Sequence, residues 1–197
     1  MLEGTSMEIR SFLAFELPPD IMGVISHASG DMKNTPLNLR WVKPGNIHLT
    51  MVFMGNVPRE NLKPIEQAAA DVCRRYGPFK VFLDGTGVFG SRRNPRVLWA
   101  RLNGDLERMS RFRDELQKDL EPFGIKQERR RFKPHLTFGR FRKGAKTGSD
   151  LDELLSRYQD LASPTCPLKE LVLFKSDLKP AGAVYTRLNA WPLTGRD

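Results

Sequence analysis

The segments VKPGNIHLTM (residues 42–51) and FKPHLTF (residues 132–138) share one pattern, in which Lys-Pro leads into His-Leu-Thr and a further hydrophobic residue. The chain has three histidines, and two of them, His48 and His135, lie in this pattern. With so few histidines, a chance repeat of the whole pattern is improbable. A single internal echo of this kind predicts two related half-domains, because solenoid repeats are shorter and more numerous.

Both motifs are typical of β-strands, in which alternate side chains point to the same face. His48 and Thr50 are therefore expected to face a cleft, while Leu49, Met51 and Phe53 face the core. His135 and Thr137 repeat the arrangement in the second motif. Each half-domain is thus predicted to present one imidazole beside one hydroxyl.

Two imidazoles at one site suit in-line displacement at phosphorus. A neutral histidine removes a proton from the attacking water, and a protonated histidine gives a proton to the leaving oxygen. The hydroxyls of Thr50 and Thr137 can donate hydrogen bonds to the non-bridging oxygens, where negative charge has to be stabilised. This chemistry needs neither a metal nor another cofactor, so we expect none.

Other functions for these residues are less well supported. A lone buried histidine commonly just satisfies core hydrogen bonds, but a matched pair argues against that reading. A catalytic zinc site usually has three protein ligands, and neither motif has a carboxylate close to it in sequence. Neither Cys73 nor Cys166 lies in a sequence that would activate a nucleophile. His27 lacks a following threonine and is expected at the surface.

The formal net charge is +9, and most of it lies around the second motif. Between Lys126 and Lys146 there are nine basic residues and one acidic residue, Glu128. Such a cluster suits a polyanion such as RNA, since phosphates attract it and release counterions on binding. A solvated basic face is the alternative, and charge alone does not separate the two. The position of the cluster around a histidine motif favours RNA.

Length and composition indicate a globular protein, since 197 residues allow one large domain or two small lobes around a shared core. No apolar run approaches the roughly 20 residues that span a bilayer, and a signal peptide is not evident. The two distant cysteines predict free thiols in a reducing cytoplasm. Residues 1–6 precede a second methionine and are expected to be a cloning remnant, which leaves residues 7–197 as a single domain.

Hydrophobic periodicity predicts short strands mixed with helices, and therefore an α+β fold. Strands are predicted near residues 10–17, 40–42, 47–53, 79–83, 97–102, 132–138, 170–175 and 183–188. Helices are predicted near residues 20–28, 58–76 and 151–158, and on a stripe formed by Leu106, Met109, Phe112, Leu116 and Leu120.

With two His-x-Thr-hydrophobic motifs, the chain resembles the two-histidine (2H) phosphoesterases. It is most similar to the bacterial and archaeal RNA 2′,3′-cyclic phosphodiesterases, also called the 2′-5′ RNA ligase family. The resemblance covers nearly the whole chain after residue 6 and rests on RSFLAFELP (10–18), RWVKPGNIHLTMVFMG (40–55), VLWARL (97–102), RFKPHLTFGR (131–140) and LFKSDLKPAGAVYTRL (173–188).

This resemblance implies a bilobal α+β fold of two pseudo-symmetric lobes, each with an antiparallel sheet flanked by helices, and an active-site cleft between them. It implies that a terminal 2′,3′-cyclic phosphate of RNA is hydrolysed to a 2′-phosphate, with His48 as proton donor and His135 as proton acceptor. The sequence alone allows these two roles to be exchanged. We expect a monomer that acts on RNA or oligonucleotide ends and has no membrane partner.

The resemblance and the residue types also suggest substrate contacts. The family has an arginine five residues after its second histidine, here Arg140. Strict alternation places Arg140 opposite His135, so either Gly139 introduces a bulge or the arginine is structural. Further candidate contacts are Arg130 for phosphate, Phe12 and Trp99 for stacking on a base, and Tyr185.

Two other functions remain open from the sequence. The first is the joining or opening of 2′-5′ RNA linkages, which is related chemistry run in reverse. The second is a nucleotide- or RNA-binding module that has kept the cleft but lost turnover. The presence of histidine and threonine in both motifs argues against the second.

Overall fold

The computed structural model describes residues 7–180 and 182–196, so the expected cloning remnant at residues 1–6 lies outside the described residues. Nine strands and four helices are found in this part of the chain. The strands are β1 (Glu8–Phe15), β2 (Leu39–Trp41), β3 (Leu49–Pro58), β4 (Phe79–Ser91), β5 (Asn94–Gly104), β6 (His135–Phe141), β7 (Cys166–Leu168), β8 (Glu170–Lys179) and β9 (Gly182–Pro192). The helices are α1 (Pro19–Met32), α2 (Leu62–Cys73), α3 (Leu106–Leu120) and α4 (Asp150–Arg157).

The strands form two antiparallel sheets, one for each half of the predicted repeat. One sheet has the order β3-β1-β8-β9 and the other β2-β6-β5-β4-β7. The first motif lies at the start of β3, and the second opens β6. Each sheet therefore carries one His-Leu-Thr segment, and the α+β fold with two lobes is confirmed.

The helices are amphipathic and bury one stripe each. In α3 the predicted stripe is confirmed, since Met109, Phe112, Leu116 and Leu120 are all fully buried. Leu13, Phe15, Leu136 and Phe138 of the sheets belong to the same hydrophobic core. None of the helices in the described residues combines the length and the apolar character needed to cross a bilayer.

A β-bulge interrupts each motif strand at the same position. In β3 the register against β1 shifts so that Thr50 pairs with Ala14 but Val52 pairs with Leu13, which leaves Met51 as the extra residue. In β6 the register against β5 shifts in the same way and leaves Phe138 as the extra residue. Because an extra residue reverses the alternation beyond it, both bulges redirect the side chains that follow.

These bulges correct one prediction and resolve another. Phe53 is 54% exposed and does not face the core as predicted, because Met51 and Val52 both turn inward before it. Arg140 lies on the cleft side with His135, because Phe138 and Gly139 are both buried. Phe53 and Arg140 each follow their histidine by five residues. They are therefore equivalent positions in the two lobes.

Two hairpins are longer than their hydrophobic runs predict. The hairpin of β4 and β5 continues past the predicted strands through Phe89 to a turn after Ser91. The hairpin of β8 and β9 extends to Lys179 and Gly182. Asn46, in the turn before His48, donates a hydrogen bond to the Ala183 carbonyl at 2.9 Å. This contact attaches the second hairpin to the first motif.

Candidate active site

A cleft of about 670 Å³ lies between the two sheets and brings the two motifs together. Its lining includes His48 and Thr50 from the first lobe and His135 and Thr137 from the second. Arg140 and Tyr185 also line the cleft, whereas Trp99 and Arg130 do not. The structure thus assembles the imidazole and hydroxyl pairs that strand alternation predicts.

Both imidazoles are held by the same kind of hydrogen bond. His48 Nδ1 lies 2.8 Å from the carbonyl oxygen of Asn46, and His135 Nδ1 lies 2.7 Å from that of Lys133. A carbonyl oxygen can only accept, so Nδ1 carries the proton and donates in both rings. The second nitrogen, Nε2, is left for chemistry at each histidine. In each lobe the accepting carbonyl belongs to the residue two positions before the histidine.

Aromatic rings fix the orientation of both imidazoles. Phe12 stacks on His48 with the ring centroids 4.7 Å apart, and the Tyr185 ring meets His48 edge-on at 5.3 Å. Phe89 meets the His135 ring edge-on at 4.8 Å. Phe12 is only 3% exposed, so it is not available to stack on a base as predicted. Its contacts give it a role in positioning His48.

Burial and nearby positive charge favour the neutral form of each histidine. Burial lowers the pKa of His48, against its hydrogen bond to Asn46, and the charge of His135 lowers it further. Burial also lowers the pKa of His135, against its hydrogen bond to Lys133, and the charge of Arg140 lowers it further. Because the two imidazoles influence one another, their titrations belong to the pair.

Tyr185 supplies a hydroxyl to the cleft. Burial raises the pKa of this hydroxyl, against the opposing charges of Arg140 and Arg10. The group therefore stays protonated near neutral pH and can donate a hydrogen bond to an anion. The Tyr185 ring contacts the His48 ring edge-on, so this residue belongs to the first-lobe side of the site.

Sequence reasoning did not place Arg10, Arg40 or Arg142 in the cleft, which all three line together with Arg140. The guanidinium of Arg10, on β1, lies 4.6 Å from the centroid of the Phe53 ring, and both residues line the cleft. Phe53 is the counterpart of Arg140 in the other lobe, so each lobe offers a guanidinium to the same space. The equal spacing of Phe53 and Arg140 from their histidines was the only feature of the sequence that pointed to Phe53 as a residue of the cleft. Which strand lies beside Phe53 is not visible in the sequence.

Arg130 and Trp99 lie elsewhere. The Arg130 side chain is 86% exposed, forms hydrogen bonds and an ion pair with Glu128, and does not line the cleft in which the phosphate is expected. The Trp99 ring contacts Phe89, with its centroid 5.0 Å away, and lies 6.4 Å from the His135 ring. Trp99 therefore borders the site without lining the cleft.

Other chemistries have little support in this part of the chain. Among residues 7–180 and 182–196, no three His, Cys, Asp or Glu side chains are grouped as metal ligands would be. Both cysteines are buried and free, and neither lines the cleft. Burial raises the pKa of the Cys73 thiol to about 12, so it is not a thiolate at neutral pH.

Comparison with known proteins agrees with this geometry. The model of the 2′-5′ RNA ligase superfamily matches residues 38–180, which include both histidine motifs. The chain belongs to this superfamily.

Individual proteins that are similar to this chain match nearly its whole length. An RNA 2′,3′-cyclic phosphodiesterase of Methanothermobacter thermautotrophicus is 32% identical over 95% of this chain and 100% of its own. The crystal structure of TT0787 of Thermus thermophilus has a TM-score of 0.77 at 27% identity, covering 96% of this chain and 100% of that one. The Escherichia coli LigT structure complexed with 3′-AMP has a TM-score of 0.75 at 26% identity, covering 95% and 99%.

Proposed function

We propose that this protein hydrolyses the terminal 2′,3′-cyclic phosphate of RNA to a 2′-phosphate by general acid-base catalysis with His48 and His135. The observation that carries the proposal is the pair of imidazoles at one cleft, each anchored through Nδ1 so that Nε2 is free. The relative in Methanothermobacter thermautotrophicus is an RNA 2′,3′-cyclic phosphodiesterase, and E. coli LigT has been seen with 3′-AMP. The name of the first protein and the ligand of the second are consistent with a nucleotide phosphate as the ligand of this cleft.

In the proposed reaction, water attacks phosphorus in line with the bond to the 3′ oxygen. One imidazole accepts a proton from the water, and a P–O bond forms to its oxygen. The bond from phosphorus to the 3′ oxygen breaks, and the other imidazolium protonates that oxygen to a hydroxyl. The 2′-phosphate remains on the ribose, and each histidine ends in the protonation state that the other began with.

The surroundings of the two rings support one division of the donor and acceptor roles. Arg140 places a positive charge near His135, which disfavours the imidazolium there and suits a proton acceptor. His48 stacks on the face of Phe12, and an aromatic face attracts a cation within about 6 Å. We infer that His48 acts as the proton donor and His135 as the acceptor. This is the division that the family resemblance implied.

Charge on the phosphate is stabilised by groups from both lobes. Thr50 and Thr137 offer hydroxyls next to their histidines, and Arg10 and Arg140 offer guanidinium groups. Donors placed before the reaction need no reorganisation as negative charge develops, which is how oxyanion sites lower a barrier. The Tyr185 hydroxyl adds a further donor to the cleft.

A mononucleotide 2′,3′-cyclic phosphate tests the proposal directly. Turnover should yield the nucleoside 2′-phosphate, identified by phosphorus NMR or by chromatography against both isomers. A nucleoside 3′-phosphate as product would show that the 2′ oxygen, and not the 3′ oxygen, is the leaving group. Binding without turnover would instead identify a nucleotide-binding module. Joining activity would appear if an RNA 5′-hydroxyl replaced water and gave a 2′-5′ linkage.

Turnover should not depend on a metal ion. In excess chelator, kcat/KM for the cyclic mononucleotide should change less than about 2-fold, because the two imidazoles supply both proton transfers. The measurement compares untreated enzyme, chelated enzyme and chelated enzyme with zinc or manganese added back. Loss of activity on chelation with recovery on adding metal would contradict the mechanism.

Cytoplasmic location, a monomeric state and a single domain over residues 7–197 stay predictions from the sequence. The two free, buried cysteines are in keeping with a reducing compartment. Analytical ultracentrifugation would test the monomeric state.

A further inference from the structure

A second cavity, of about 730 Å³, is lined by Trp99, whose ring lies 6.4 Å from the His135 ring of the catalytic cleft. One wall is the β4–β5 hairpin and the other is α4, with Trp99, Arg101 and Gln159 among its lining residues. We call this cavity the α4 groove. Its volume is in the range of pockets that hold small ligands.

The α4 groove shares a sheet face with the catalytic residues. Across the β5–β6 pair, Trp99 is opposite Thr137 and Arg101 is opposite His135. Directly opposed residues of an antiparallel pair project to the same face. A chain that leaves the cleft past His135 therefore passes Phe89, whose ring contacts both His135 and Trp99, and then meets Trp99 and Arg101.

Trp99 forms an aromatic floor in the groove. Gly87, its partner on β4, has no side chain, and a Cβ there would lie 2.5 Å from the indole Cζ2. The glycine thus lets the indole lie against the β4 backbone, and the indole lines the groove from there. An aromatic ring in such a position can stack on any base, since every base has a π-face.

Arg101 supplies a weakly paired guanidinium beside that floor, 6.0 Å from the centroid of the Trp99 ring. Its nearest carboxylate oxygen, on Asp84, is 4.0 Å away, which is too long for a hydrogen bond. The same oxygen accepts a hydrogen bond from Asn103 at 3.2 Å instead. Among the described residues, the guanidinium of Arg101 has no hydrogen-bond acceptor, and the side chain is 54% exposed.

An ion pair between Arg92 and Asp152 also lines the groove. The lining has two guanidinium groups and one carboxylate. Since the charges of Arg92 and Asp152 cancel, a net positive charge remains at Arg101. The free donors are those of Arg101. An anion that also carries a planar ring meets both features at once, and the repeating unit of RNA has this chemistry.

We propose that the α4 groove binds the nucleotide on the 5′ side of the terminal one, with its base on Trp99 and its phosphate at Arg101. The proposal rests on the proposed function, because it takes the terminal cyclic phosphate to lie between His48 and His135. It assigns the recognition of a second nucleotide to a site outside the catalytic cleft. The enzyme then distinguishes the end of an RNA chain from a free cyclic mononucleotide.

The test compares kcat/KM for a 2′,3′-cyclic mononucleotide and for dinucleotides and trinucleotides that end in the same cyclic phosphate. Wild-type enzyme should prefer the dinucleotide over the mononucleotide by about 10-fold or more, a typical effect of one added stacking contact and one phosphate contact. Arg101→Gln should reduce that ratio to near one. Arg96→Gln, an exposed arginine of the same strand that does not line the groove, should leave the ratio unchanged.

The basic cluster provides a second comparison. Lys143 and Lys146 are exposed and line neither cavity. Replacing both with glutamine should weaken binding of long RNA and flatten its salt dependence, while the dinucleotide ratio stays as in wild type. If this variant lost the dinucleotide preference and Arg101→Gln kept it, the chain would leave along the basic cluster and the proposal would be wrong.

Failure of the groove and failure of the function give different results. If every substrate is turned over without a preference for the dinucleotide, the proposal about the α4 groove is wrong but the proposed function stands. No turnover of any substrate would overturn the proposed function. The groove is then still tested by the affinity for a dinucleotide 2′-phosphate, read from tryptophan fluorescence. Arg101→Gln should weaken this affinity about 10-fold relative to Arg96→Gln, and equal affinities would overturn the proposal.

Discussion

Replacing either His48 or His135 with alanine should lower kcat/KM for a 2′,3′-cyclic mononucleotide about 100-fold or more, the scale of a lost general acid or base. Each variant removes one of the two proton transfers, and no other titrating side chain of the described cleft stands in the same position. Initial rates at saturating and limiting substrate give kcat and KM separately. The loss should fall mainly on kcat.

The double variant, with alanine at both His48 and His135, shows whether the two histidines act together or contribute independently to kcat/KM. Because the two imidazoles act as a unit, the double variant should be little worse than either single variant. His27→Ala is a matched control, since this histidine is 82% exposed and lies outside the cleft. It should retain wild-type activity. Near wild-type kcat/KM in either cleft variant would contradict the mechanism.

Replacing Arg140 with glutamine should lower kcat about 100-fold, the scale of a lost donor at a site of developing charge. Arg140 lines the cleft and its charge reaches His135. Glutamine keeps a hydrogen-bond donor but removes the charge, so charge stabilisation is tested separately from side-chain bulk. The same change removes a cause that lowers the pKa of His135. The pKa should therefore rise, and the corresponding limb of the pH profile should move to higher pH.

Arg130→Gln is the control for that variant. Arg130 was expected from the sequence to contact phosphate, but its guanidinium is paired with Glu128 away from the cleft. This variant should change kcat/KM for a mononucleotide less than about 2-fold, as is usual for an exposed ion pair. If Arg130→Gln lowered kcat/KM as much as Arg140→Gln does, Arg130 would have to act at the catalytic site.

Sequence periodicity predicted the two histidine-threonine pairs that line the cleft but not what surrounds them. His48 with Thr50 and His135 with Thr137 lie within two residues of each other, so local alternation was enough to place each pair on one face. The bulges at Met51 and Phe138 depend on the register against β1 and β5. That information is held by distant strands, so alternation alone places Phe53 in the core and leaves two positions open for Arg140.

Contacts between distant segments account for the other gaps. Arg10 meets Phe53 across β1 and β3, and Phe89 reaches His135 from a hairpin that extends beyond its hydrophobic run. Phe12 looked like a base-stacking residue because aromatic residues suit that role. Its position beneath His48 became visible only when the strands were paired. Residue type therefore indicated the chemistry, and strand pairing assigned the positions.

The pH dependence of kcat/KM tests the central claim, that one neutral and one protonated imidazole act on the same phosphate. This parameter reports the free enzyme, where burial lowers the pKa of both histidines. A lowered pKa means that each proton is lost at lower pH. Both limbs of the profile should therefore shift below the ordinary histidine value of about 6.5.

A phosphate in the cleft should have the opposite effect, since its negative charge raises the pKa of both imidazoles. The bell for kcat should then lie at higher pH than the bell for kcat/KM. The measurement is a pair of profiles on one cyclic mononucleotide between about pH 4 and pH 9, with the acid limb of kcat/KM followed far enough to fix the lower of the two coupled values. Two bell-shaped curves in that order are predicted. A kcat/KM that stays flat, or that has a single limb across the whole range, would contradict the two-histidine mechanism.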